Sequence, residues 1–177
     1  WNIAFEDAGF TNAVQVKIQP DTADWDDGDI RYNVLRWTSS PSPPWGGYGP
    51  SFVNPRTGEI LGADIMLEWI YLTNRVRYSE IFENQENREN DFCHNSLIKQ
   101  ENRIFGKLAT EALDLNENEI SRLYEEDLYQ LILHEVGHTL GLNHNFAAST
   151  LHNNSDIHNP DVTYKEGLSS SVMDYHA

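Results

Sequence analysis

The stretch LILHEVGHTLGLNHN, residues 131–145, carries His134, His138 and His144, with Glu135 beside the first and Gly141 in the longer gap. The chain has seven histidines in all, so three of them within one short segment need a reason. Leu128, Leu131 and Ile132 recur at three- and four-residue intervals, the period of an amphipathic helix. His134 and His138 stand at i and i+4, so both imidazoles leave one face of that helix, a turn apart. Glu135 lies about 100° round from His134, on the flank of the same face. Gly141 is where such a helix stops, because glycine takes the left-handed conformation of a helix end without steric cost. The chain then turns His144 back towards the other two. Three neutral imidazoles converging on one point form a cation site. Three protein ligands leave one tetrahedral position open, the arrangement of a catalytic zinc rather than a structural one. A core helix with two satisfied histidines would explain H-E-x-x-H, but not the glycine and third histidine at their spacing.

A second segment follows. The chain closes on SSSVMDYHA, with Met173 about thirty residues beyond His144. The long histidine motif followed by this methionine turn resembles the metzincin zinc endopeptidases. The match covers His134, Glu135, His138, Gly141 and His144, then Ser171-Val172-Met173-Asp174-Tyr175. A closer resemblance is to large bacterial metzincin-like proteases, through HEVGHTLGL-x-HN, NPRTGEILGADI and SVMDY. It runs through most of the chain and is weaker from Asn74 to Asn118. The resemblance implies an α+β domain, a three-layer α/β sandwich of zincin type, with one catalytic Zn²⁺ on the three histidines. It also implies that Met173 lies beneath the metal as an apolar floor. By the same likeness a strand should precede the first helix and another helix should follow the methionine turn. The expectation is therefore a domain truncated at both ends.

The chain is expected to form one domain. Within it, 1–118 would supply the upper sheet and helices, 119–145 the zinc helix and its turn, and 146–177 a lower loop region with the methionine turn. Its 28 acidic and 12 basic residues give a net charge of −16, which argues against nucleic acid as a partner. That acidity is either plain solubility or a preference for basic substrates. Mean hydropathy is −0.58, and no apolar run approaches the ~20 residues of a membrane span. The single cysteine, Cys93, excludes a disulfide within the chain; it reads as a partly buried thiol, with a metal pair to His94 the alternative. The expected location is secreted, periplasmic or cell-surface, and the oligomeric state is left open.

WNIAFEDAGF reads as a helix with Trp1, Phe5 and Ala8 on one stripe and Gly9 closing it. AVQVKI (13–18) and IRYNVLRW (30–37) alternate as strands do. The Asp-rich loop between them can hold Ca²⁺, though it lacks EF-hand spacing. TSSPSPPWGGYGP (38–50) reads as irregular. Trp45 and Tyr48 within it are either substrate contacts or loop anchors. Residues 51–72 read as a strand, a turn at Asn54–Gly58 and a longer strand. Tyr48 through Ser51, Phe52 and Val53 should be the sheet edge above the metal, to which an extended substrate peptide can add. Residues 73–118 have helical character, interrupted at Gly106, and residues 148–167 read as a loop in which His152 and His158, like His176 near the end, are solvated.

The expected reaction is peptide-bond hydrolysis by a zinc-activated water, with Glu135 as general base, on a protein or peptide substrate. Tyr175 is expected either to approach the zinc and stabilise the oxyanion, by resemblance to astacin-like and serralysin-like enzymes, or to pack behind the turn. The alternatives are a non-peptide zinc amidohydrolase and a catalytically silent peptide-binding module of a larger surface protein. A structural role in such a protein, with proteolysis retained, is also weighed.

Overall fold

In the computed structural model, which describes residues 1–41, 46–69, 106 and 117–175, strands and helices are mixed. The elements are α1 (Asn2–Asp7), β1 (Val34–Thr38), β2 (Gly47–Tyr48), β3 (Ser51–Val53), β4 (Ile60–Glu68), α2 (Glu117–Thr139), a 3-10 turn (Phe146–Thr150) and α3 (Pro160–Glu166). The expectations for Cys93, Trp45, His176 and nearly all of 73–116 fall outside the described residues.

β4 is the axis of the sheet. β1 runs parallel to it, from Val34 opposite Asp64 to Thr38 opposite Glu68. β2 and β3 follow one another antiparallel along its other edge, Gly47 opposite Leu67 and Val53 opposite Ile60. The alternation along β4 puts Ala63, Ile65 and Leu67 on one face, all buried. Ile65 and Leu67 meet Leu131 of α2, and Leu128, Ile132 and Val136 extend the contact along the helix. This small apolar seam fixes α2 on the sheet. Truncating a fully buried leucine such as Leu131 to alanine costs about 2–5 kcal/mol in comparable cores.

Three sequence expectations change. Residues 13–18 form no strand; Val16 and Ile18 are 92% and 94% exposed. Their alternation is real, but a strand also needs a neighbour. The backbone of residues 15–18 makes no hydrogen bond among the described residues. A cavity of about 930 Å³ whose lining includes residues 17–20 and 33–36 lies between it and β1, whose other edge has no strand partner among the described residues. The strand expected over 30–37 begins only at Val34. Finally, the segment 38–50 is not wholly irregular, because Gly47 and Tyr48 pair with β4.

The far end of β4 holds a buried charge. Glu68 is fully buried and accepts hydrogen bonds from Thr38 Oγ1 at 2.7 Å, Ser40 N–H at 2.9 Å and Ser40 Oγ at 2.6 Å. Burial alone raises its pKa. The Ser40 and Thr38 donors outweigh that and hold it below the usual glutamate range. Because the folded pKa lies below the unfolded one, this stabilisation is complete above the unfolded value and is lost as pH falls through the folded value. Glu68→Gln is therefore expected to lose about 1.5–3 kcal/mol at pH 7 in urea denaturation. The gap to the wild type should narrow below the ordinary glutamate value of 4.5.

Candidate metal centre

α2 delivers the first two histidines. His134 is fully buried and His138 half-buried, a turn apart. The helix ends in a Schellman turn: Leu142 N–H reaches Gly137 C=O at 3.0 Å and Gly141 N–H reaches His138 C=O at 2.9 Å, with Gly141 at φ 89°. That exit redirects the chain so that His144 returns to the face it left. His138 Nε2 lies 3.1 Å from His134 Nε2 and 3.1 Å from His144 Nε2. Among the described residues this is the group of three or more His, Cys, Asp or Glu side chains able to hold a metal ion.

The far side of each helical ring fixes its tautomer. His134 Nδ1 donates to the Val172 carbonyl at 2.8 Å, and His138 Nδ1 donates to the Leu142 carbonyl at 2.9 Å. A carbonyl can only accept, so Nδ1 carries the proton and Nε2 presents its lone pair. Lone pairs facing one another at that distance repel, and a cation between them removes the repulsion. Zn–N bonds of about 2.0–2.1 Å put tetrahedral ligand nitrogens about 3.4 Å apart, close to what is found. The donor set, its orientation and its spacing all fit zinc.

Met173 is 2% exposed. It packs directly on the helix backbone between the two helical histidines: a Cβ on Gly137 would fall 2.3 Å from Met173 Sδ and 3.3 Å from Trp1 Cζ2. Trp1 also ties α1 to the zinc helix, donating from Nε1 to the Leu133 carbonyl at 3.1 Å. Tyr175 Oη lies 3.0 Å from His144 Nε2, and its ring packs against His144 and Phe146.

Glu135 is fully buried beneath β2. A Cβ on Gly47 would lie 3.2 Å from Glu135 Oε1, and one on Gly49 would lie 2.7 Å from the Glu135 carbonyl oxygen. Backbone without side chains is what lets β2 cross the helix here. These two glycines were missed as site residues. Their signal was the glycine run WGGYG, a composition that permits close backbone approach as well as a loop. Ser51, Phe52 and Val53 form β3, farther along the same edge, and among the described residues β4 is their one strand neighbour. The edge ends beside the exit of α2, since Ile60, opposite Val53, reaches Gly141.

Around the site, residues 148–167 are more ordered than their composition implied. α3 is capped by Asn159, whose Oδ1 accepts from Asp161 N–H, with Pro160 opening it and Gly167 ending it at φ 81°. Those caps were present in the sequence NPD…G. His152 donates to the Gly167 carbonyl at 2.7 Å, and His158 is exposed. In the Asp-rich loop, Asp29 pairs with Arg31, Asp27 with Arg36, and Asp26 accepts from Gly28 N–H.

A helix bearing two histidines, a third beyond a glycine exit and a buried methionine packed on the helix between the first two together form a group able to hold a metal ion. Residues 116–177 match a protein-family model described as Met-zincin. Match and histidine geometry together point to a zinc metalloprotease. No curated protein and no solved structure matches the chain.

The close approach at Gly137 is open to direct measurement. Gly137→Ala should force Met173 from its buried seat and lower stability by about 1–3 kcal/mol, as overpacking does. The matching relief, Gly137→Ala with Met173→Ala, should recover part of that loss in thermal denaturation.

Proposed function

We propose that this chain is a zinc-dependent endopeptidase, a single catalytic domain of three-layer zincin type acting outside the cytoplasm. The observation that carries the reading is the convergence of three histidine Nε2 atoms, two of them with lone pairs set by Nδ1 donation to carbonyls. His134, His138 and His144 would hold one Zn²⁺. When bound, the ion supplies Lewis acidity, which brings the pKa of a water towards 7 and polarises a carbonyl.

The protein's own groups do the rest. Glu135, next in sequence to the first ligand and buried under β2, takes a proton from the attacking water and passes it to the leaving amine. The Tyr175 hydroxyl, beside His144, donates a hydrogen bond to the oxyanion as it develops. The edge from Gly47 to Val53 runs along the helix that carries the site. A substrate strand adding there by main-chain hydrogen bonds would lie over the metal, with Ser51, Phe52 and Val53 at one end of its track.

Purified without chelator, the chain should contain about one zinc per molecule and cleave casein or gelatin. Glu135→Gln should keep the zinc and lose about 10²–10⁴-fold in rate. Retained zinc with no cleavage by the wild type would favour the silent peptide-binding module. No zinc and no uptake on titration would refute both. Tyr175→Phe should lower kcat by about 10²–10³-fold with zinc content unchanged; an unchanged kcat would reduce Tyr175 to packing.

A further inference from the structure

His134 and His138 are aligned by the helix that carries them, but His144 follows its exit on a segment with no regular structure. What holds that segment is a set of ties to residues 170–174. Two are main-chain bonds: Asn145 N–H to Met173 C=O at 3.0 Å, and Ser170 N–H to Ala148 C=O at 3.2 Å. The third joins side chains. Ser149 Oγ donates to Asp174 Oδ2 at 2.5 Å. Asp174 is 2% exposed, and its other oxygen accepts the Tyr175 N–H at 2.9 Å.

One buried carboxylate thus grips the loop of the third ligand with one oxygen and the backbone of Tyr175 with the other. The Tyr175 hydroxyl meets the Nε2 of that same ligand, which closes the ring. We propose that Asp174, through Ser149, is the positioning residue that sets His144 and the Tyr175 hydroxyl against the other two histidines. It touches neither metal nor substrate. The inference rests on the zinc reading above.

The energetic case follows from the geometry. A hydrogen bond to a charged acceptor contributes about twice a neutral one. A buried carboxylate that loses its partner bears the desolvation penalty in full. The apolar seam of Ile65, Leu67 and Leu131 lies elsewhere, so losing the clamp loosens the loop and leaves the seam in place. Groups that orient metal ligands typically change metal affinity by about 10–100-fold when removed.

The test uses the full chain stripped of metal and titrated with Co²⁺, then with Zn²⁺ in competition. Visible absorption reports coordination, and circular dichroism reports folding. Ser149 lies on the exposed side of its turn, so Ser149→Ala should fold. It should weaken binding by about 10–100-fold and shift the cobalt bands, while Ser149→Thr restores both. A folded Ser149→Ala with wild-type bands and affinity within about threefold of wild type would overturn the proposal. So would Ser149→Thr behaving as Ser149→Ala does. Should Ser149→Ala not fold, Asp174→Asn replaces it, keeping the volume and one acceptor oxygen. Altered bands with weaker binding in that variant support the clamp, and wild-type values refute it. A wild-type chain that takes up neither ion would overturn the zinc reading itself, a result distinct from any of these.

Discussion

The Nε2 lone pairs of His134 and His138 face one another 3.1 Å apart, and much of the surrounding structure serves that constraint. The rings cannot relieve it by flipping, because the two helical ones are tied through Nδ1 to carbonyls. One of those carbonyls, Leu142, belongs to the exit that also returns His144 to the site. The other, Val172, belongs to the methionine turn. Helix end and methionine turn therefore orient the two helical histidines as well as closing the fold around them.

The remaining elements are arranged around that assembly. The apolar seam sets the distance between α2 and the sheet, and β2 uses glycines to come closer to the helix than side chains allow. Glu135 is caught between them. Its burial follows from the close approach of Gly47 and Gly49 to the helix. The burial of Glu135 and the position of β2 thus have one structural cause.

Much of this was legible because it is local. A four-residue spacing, a terminal glycine and a third histidine specify α2, its end and the gathering of the rings without reference to the rest of the chain. The hairpin from Ser51 to Glu68 was legible for the same reason, since Asn54 and Gly58 supply the turn chemistry. What escaped depends on partners distant in sequence. The alternation at 13–18 states which way side chains point, but not whether a neighbouring strand exists. The glycines at 47 and 49 read as loop because nothing nearby reveals that a helix some ninety residues on will lie against them. Asp174 read only as a motif letter until its partner Ser149 was located. The short α3 was a different failure, since its caps were visible and were outweighed by the polar composition around them.

Gly137 and Met173 share a single volume. The sulfur rests where a β-carbon would otherwise stand, so size at one position is set by absence at the other. Chains built on this plan should vary the two sites jointly: a larger residue within the histidine pair should accompany a smaller one beneath it. A change at either site alone should be rare. The middle of the H-E-V-G-H segment is thus constrained from below by packing, independently of the chemistry carried by its ends.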